Sequence, residues 1–252
     1  MLVIDAFFYP EATKALVAEI RRLTPKPIRY VINTHYHADH TGGDQVLRDA
    51  GAVIVAHKNV RGWVRVNNIN LFGDRITPEI RARIKALPLP DLVTDHDLTV
   101  WLGSRKVVVR TVLGHTGGDL IVAVPDAKVL FTGDMLWRKV PPNLIDGSVK
   151  EWLATDAPFA AMAKTRFVPG HGEVASARDV QDFRAYLIDL RRLVGEGRQA
   201  KLEGDTLVKF VAPKMRALHP DWTISDRAIA AEVKYMAAEL AGTKQRPVPR
   251  PD

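Results

Sequence analysis

Cysteine is absent from the 252 residues, which excludes disulfides and thiolate-ligated metals and suits a reducing or an oxidising compartment equally. Long apolar runs are missing too, so no segment is expected to span a bilayer as a helix and no membrane partner is expected. A leader is not visible either: Met1 runs directly into Leu2, Val3, Ile4 and Asp5, with no basic n-region and no small-residue cleavage site. As it stands the chain reads as cytoplasmic, and a start further upstream would leave room for a periplasmic export signal. Acidic residues are the scarcer sign, 29 against 36 basic, for a formal charge of +7. Much of that excess gathers in residues 81–85, 191–201 and 244–250, which read as solvated helix faces and a tail. With 46% hydrophobic residues, the chain can bury one large core and carry a helical appendage.

What is present is histidine in one place. His35, Tyr36, His37, Ala38, Asp39 and His40 follow the apolar run Tyr30-Val31-Ile32, and Gly42 and Gly43 come almost at once. Neutral imidazoles and carboxylates suit a borderline divalent ion such as zinc, and a strand end can hold them with a coordination position open. His35 and His37 would share a face if the strand persists, whereas Asp39 and His40 must reach a second location as the chain turns. That division suggests two metals.

Three more strand ends present ligand types. Residues 107–113 lead into Gly114-His115-Thr116-Gly117-Gly118-Asp119. Residues 128–131 lead into Thr132-Gly133-Asp134, and residues 166–168 into Pro169-Gly170-His171. Each run reads as a buried strand ending in a glycine-containing turn.

In order and spacing, His35-x-His37-x-Asp39-His40, His115, Asp134 and His171 resemble the ligand motifs of the metallo-β-lactamase fold superfamily, over about the first two thirds of the chain. The resemblance implies a four-layer αββα sandwich in residues 1–175 and two Zn2+ per chain. His35, His37 and His115 would hold one zinc, Asp39, His40 and His171 the other, and Asp134 would bridge them. It further implies hydrolysis of an amide or ester carbonyl in a small-molecule substrate, a β-lactam or lactone ring first, with Asp39 and Asp134 orienting the attacking water. Asp134 stands where one lactamase subclass has Cys, which points to the glyoxalase II and lactonase branches. Thioester hydrolysis of the glyoxalase II type is therefore an alternative, although Tyr36 stands where that enzyme usually has His and its glutathione-binding helices are not identified. A phosphodiesterase or nuclease is a third reading; no recognition arm is found, and no nucleic-acid partner is expected. The superfamily also places further strands before a segment like residues 2–8, and these are not in this chain.

Elsewhere the pattern is structural. Residues 11–23 carry Leu16, Ile20 and Leu23 at helical spacing. Ser176 or Asp179 caps a helix with Val180, Phe183, Leu187, Leu190 and Val194 on one side, and Ser225 caps another with Ile229, Val233, Met236 and Leu240. These helices, in an extension over residues 176–241, pack against the sandwich or serve as a lid or a homodimer surface. Residues 242–252, with Pro247, Pro249 and Pro251, read as a disordered tail. Trp63, Trp101 and Trp137 are candidates for an apolar substrate wall, Trp137 above the others. Arg138 and Lys139 either hold a substrate carboxylate or belong to a solvated loop. Thr116 and Asp119 are candidate partners for imidazole N–H groups. Residues 59–90 read as a mobile flap without a chemical signature.

Overall fold

A computed structural model describes residues 1–249. It is a mixed α/β structure with two sheets, of four and five strands, and a C-terminal helical region. The chain forms two compact units. One comprises residues 1–112, 118–126 and the last described residues from 247, and the other residues 113–117 and 127–246.

In the first unit, β1 (Leu2–Ile4), β2 (Tyr30–Ile32), β3 (Val53–His57) and β4 (Leu92–Thr94) pair in that order, every neighbour parallel. Parallel neighbours need helical crossovers. The first is α1 (Pro10–Leu23), with Pro10 in its opening turn, Glu11 beside it and Arg21 and Arg22 in the last turn, an order that suits the helix dipole. Its buried stripe is Thr13 and Val17, backed by Leu16 and Ile20, while Leu23 is 67% exposed. The expected apolar face is thus rotated away from Leu23. The second crossover holds the short helices α2 (Ala38–Thr41) and α3 (Asp44–Asp49). Between β3 and β4 lie α4 (Lys58–Trp63), α5 (Asn67–Phe72) and α6 (Pro78–Ala86).

That last segment corrects the flap expected at 59–90. Trp63, Val60, Ile84 and Leu87 join Tyr36 and Ala56 in one buried cluster. Its helices are short and punctuated by polar residues, so their shared core is not legible as a single period. The unit also holds the antiparallel strands β5 (Leu98–Leu102), β6 (Arg105–Val112) and β7 (Asp119–Val124). Gly103, at φ 66°, makes the tight β5–β6 turn possible.

The second unit contains β8 (Val129–Trp137), α7 (Val149–Asp156), β9 (Arg166–His171), and the helices α8 (Ala177–Gln199), α9 (Gly204–Leu218) and α10 (Asp226–Leu240). Strands β8 and β9 are parallel. Ser176 and Asp179 cap α8 together, each side chain taking the other's backbone N–H, and Ser225 caps α10. Val180, Phe183, Leu187, Leu190 and Val194 are all buried, as are Ile229, Val233 and Met236. Helix α9, with Pro213 inside it, has no counterpart among the sequence expectations. The tail expectation shifts as well. Lys244 and Arg246 make specific hydrogen bonds described below, Val248 O accepts from Trp63 Nε1 at 2.8 Å, and only 250–252 fall outside the described residues.

Candidate metal centre

In the first unit the candidate ligands do not ride on a strand. Strand β2 ends at Ile32 and Asn33 still bonds to β3 through Val55 O at 2.9 Å, but residues 33–37 are loop and His37 caps α2. The pleat therefore does not place His35 beside His37. The loop does, and the single helical turn that follows brings His40 round to them, with His40 N and Thr41 N reaching His37 O at 3.0 and 3.2 Å. The rings of His35 and His37 stand 4.5 Å apart edge to face, and His35 and His40 are 4.2 Å apart. His35, His37 and His40 are buried, whereas the Asp39 side chain is 44% exposed.

Two residues not singled out in the sequence fix this turn. Asp5, at the end of β1, accepts from Thr34 N at 2.7 Å and Thr34 Oγ1 at 2.9 Å, and lies 2.9 Å from His40 Nδ1. A carboxylate on one ring nitrogen sets the tautomer and aims the other. Here Nε2 faces Asp39 Oδ2 at 3.5 Å. Asn68, on α5, donates to Tyr36 O at 2.7 Å and Val64 O at 2.8 Å and accepts from Ala38 N at 2.9 Å, so one amide clamps the backbone on both sides of His37. Asp5 ends the apolar run Leu2-Val3-Ile4 and could have been noticed on that ground. Asn68 lies in the run Asn67–Asn70 and carries no such signal.

The glycines after the motif are explained by close approach. A Cβ on Gly42 would strike Phe8 O and Ala38 O, and one on Gly43 would strike Thr13 and Ala6 O. No larger residue lets α2 and α3 lie this close to residues 6–8.

In the second unit, Asp134 lies within β8, not at its end. The strand continues to Trp137 across register shifts between Phe131 and Gly133 and again between Gly133 and Trp137. Bulges of this kind re-aim side chains. Asp134 Oδ2 ends 3.2 Å from His115 Nε2 and 3.5 Å from His171 Nε2. A Cβ on Gly170 would run into Asp134 Oδ1, so the neighbouring strand keeps that space open. His171 closes β9, and His115 sits in the loop after β6, packed against Trp152 with ring centroids 5.3 Å apart.

Trp137, the leading candidate for an apolar substrate wall, lies directly against a candidate ligand. It is buried, stacks on His171 at 3.9 Å between centroids, and donates its Nε1 hydrogen to Asp134 O at 3.1 Å. Arg138 is likewise committed, to Asp179 at 2.8 Å, Glu173 at 3.2 Å and Val174 O at 2.8 Å, and so anchors the start of α8. Lys139 lies 3.6 Å from Asp221. Trp63 is core and Trp101 is exposed. Thr116 and Asp119 are both buried, Thr116 beside His115 and Asp119 at the start of β7.

Three of the eight histidines stand outside the motifs. His57 caps α4, accepting from Asn59 N at 3.2 Å, and burial, with Lys58 next to it, keeps its pKa low. His219 lies 3.2 Å from Asp189, and His96 is exposed.

Within each unit the donors lie at metal-binding range of one another. His35 and His37 offer ligand atoms within 4.8 Å, as do Asp39 and His40 in the same unit and His115 and Asp134 in the other. The set is imidazole and carboxylate with no sulfur, which fits a borderline divalent cation.

Residues 2–171 match the Metallo-beta-lactamase superfamily. A hydroxyacylglutathione hydrolase from Methylococcus capsulatus is 26% identical over 193 residues, 76% of this chain and 67% of that protein. The acyl-coenzyme A thioesterase MBLAC2 of Bos taurus is 30% identical over 133 residues, 48% of this chain and 43% of that protein. Across the curated relatives first found, the match spans 41% to 67% of their length. A metallo-beta-lactamase structure from Pontibacter korlensis superposes with a TM-score of 0.58 at 22% identity, covering 74% of this chain and 81% of that one. Among the described residues no helix is long and apolar enough to cross a membrane. By its sequence over residues 2–171 and by its fold, the chain belongs to the metallo-beta-lactamase superfamily.

Proposed function

We propose that the protein is a metal-dependent hydrolase of small acyl compounds, with His35, His37 and His115 holding one Zn2+, Asp39, His40 and His171 a second, and Asp134 shared between them. The observation that carries this is Asp134 Oδ2, which faces His115 Nε2 and His171 Nε2 together, one imidazole from each proposed set. One buried carboxylate between two such rings is the arrangement a bridging ligand needs. Bound there, two divalent cations would acidify water and polarise a carbonyl, which makes a Ser or Cys nucleophile unnecessary.

The chain's own groups do the positioning. Asp5 holds His40 by its Nδ1. Trp137 packs flat on His171 and shields it from water on that face. Asp134 is buried against His115 and His171, and Asp39, the exposed carboxylate of the set, is placed to accept a proton from solvent or substrate.

For the substrate, a β-lactam or lactone ring is the reading from the motifs, and thioesters are supported by the named activities of the two curated relatives. A phosphodiester is the third arm. The test is a panel of nitrocefin, homoserine lactones, S-lactoylglutathione, an acyl-coenzyme A and a bis-phosphodiester against zinc-loaded protein, with metal counted in parallel. Hydrolysis of an acyl compound with two metals per chain is expected. Asp134→Ala and His37→Ala should each lose turnover and metal together; a variant keeping both would sink the assignment.

A further inference from the structure

The basic segment after α10 makes a set of contacts that the hydrolytic chemistry does not use. Lys244, its side chain only 6% exposed, donates to Gly147 O at 2.5 Å and lies 3.6 Å from Glu239. Arg246 donates to Asp146 O at 3.0 Å and Thr116 O at 3.4 Å, and pairs with Glu151 at 2.8 Å. Two consecutive cations of the tail thus grip residues 146–147, and one of them also reaches the residue next to His115.

Residues 146–151 in turn cradle the His115 loop. Gly147 lies so close beneath it that a Cβ there would meet Gly114 O and His115 O. Ser148 N donates to Gly114 O at 2.8 Å, and Thr155 Oγ1 donates to Leu113 O at 2.6 Å. Glu239, at the end of α10, accepts from Val149 N and Lys150 N at 3.0 and 3.1 Å. It caps α7 with a carboxylate where the helix dipole favours one. Freezing long cationic side chains costs rotamer entropy, so bonds to backbone carbonyls and carboxylates at this density mark a fixed element, not a solvated tail.

We propose that Lys244 and Arg246 form a C-terminal strap that positions the His115 loop for metal binding. The inference rests on the assignment of His115 as a ligand. Arg246 is the centre of it: its guanidinium reaches two carbonyls and a carboxylate from three separate nitrogens, whereas an ammonium donates from a single point. Both are positioning residues acting through the backbone of residues 114–116.

The test uses the full chain and the variants Arg246→Ala, Arg246→Lys and Lys244→Ala, read in two ways. Amide hydrogen exchange over residues 113–118 of metal-free protein should be at least several-fold faster in Arg246→Ala, and nearer to wild type in Arg246→Lys. Zinc affinity, by competition with a chromophoric chelator, should fall on the order of 10-fold in Arg246→Ala, the range seen when groups orienting a ligand are removed, and partly return in Arg246→Lys. Unchanged exchange in both Arg246 variants overturns the strap whether or not metal binds. Faster exchange with unchanged zinc affinity overturns its role in metal binding. If wild type shows the protected loop but takes up no zinc, the metal assignment fails and the strap's role in metal binding falls with it. Should Arg246→Ala not fold, Arg246→Lys and Lys244→Ala carry the same comparison.

Discussion

Asn68 decides the shape of the first ligand turn with a single amide. Its three hydrogen bonds hold Tyr36 O, Val64 O and Ala38 N, and removing a buried partner costs about 1–3 kcal/mol because the groups left behind lose their bonds. Asn68→Ala should lower stability by that amount in chemical denaturation and weaken zinc binding. Intact zinc affinity would mean that the turn around His37 holds itself. Asp5→Asn is a subtler change, since it keeps a hydrogen-bonding side chain but removes the charge beside His40 Nδ1. The expected result is a zinc affinity about 10-fold lower with the fold retained, read by chelator competition and circular dichroism. Gly170→Ala should be worse than its size suggests, because the added methyl meets Asp134 Oδ1 and the Gly133 backbone. Loss of one metal equivalent by elemental analysis is the outcome that checks it.

Helices α8 and α10 are joined by a buried polar pair. Tyr186 donates to Glu232 Oε2 at 2.6 Å, and both residues are buried. Burial pushes the Glu232 carboxyl up to about 8, with the Tyr186 hydrogen bond pulling the other way. The unfolded chain releases that proton near the ordinary value of about 4.3. Between about 4.3 and 8 the folded state therefore holds a proton that the unfolded state has lost, so this group's contribution to stability declines as pH rises through that window. Glu232→Gln keeps a neutral side chain in place. Its melting temperature should match wild type near pH 5 and exceed it near pH 9; parallel curves would contradict the assignment. At this scale the sequence was legible wherever one period ran long enough. The stripes of α8 and α10 and the Ser176 and Ser225 caps were readable because each helix buries one continuous face. Helix α9 and the short helices of residues 58–86 were not, since Pro213 and the polar breaks obscure the repeat and the burial comes from partners distant in sequence.

For the molecule as a whole, a metal that binds the folded chain and not the unfolded one stabilises it by mass action, about 2.7 kcal/mol at 100 times the dissociation constant. For a chain of this size that is a melting shift on the order of 5–10 °C. Adding a chelator should lower the melting temperature by about that much and restoring zinc should recover it; no shift would count against a metal centre. The formal charge of +7 does not by itself make a nucleic-acid surface. Cations such as Arg48, Arg138, Arg192 and Arg246 are bound to carboxylates within their own unit. Hydrolysis insensitive to added DNA and to moderate salt is the expected result.

The sequence alone determined the donor set of the candidate centre. Three imidazoles and a carboxylate in six residues, followed by His115, Asp134 and His171, state the candidate donor types and their order, because a donor set is a matter of residue identity. Only the tertiary structure decided how those donors are held. The persisting strand imagined under His35 and His37 is a loop and one helical turn clamped by Asn68. The strand end imagined before Asp134 is a bulged strand that continues to Trp137, and the tail imagined as loose grips the segment beneath His115. Each of these depends on hydrogen bonds between residues tens of positions apart, and neither periodicity nor composition records which distant carbonyl a side chain will reach.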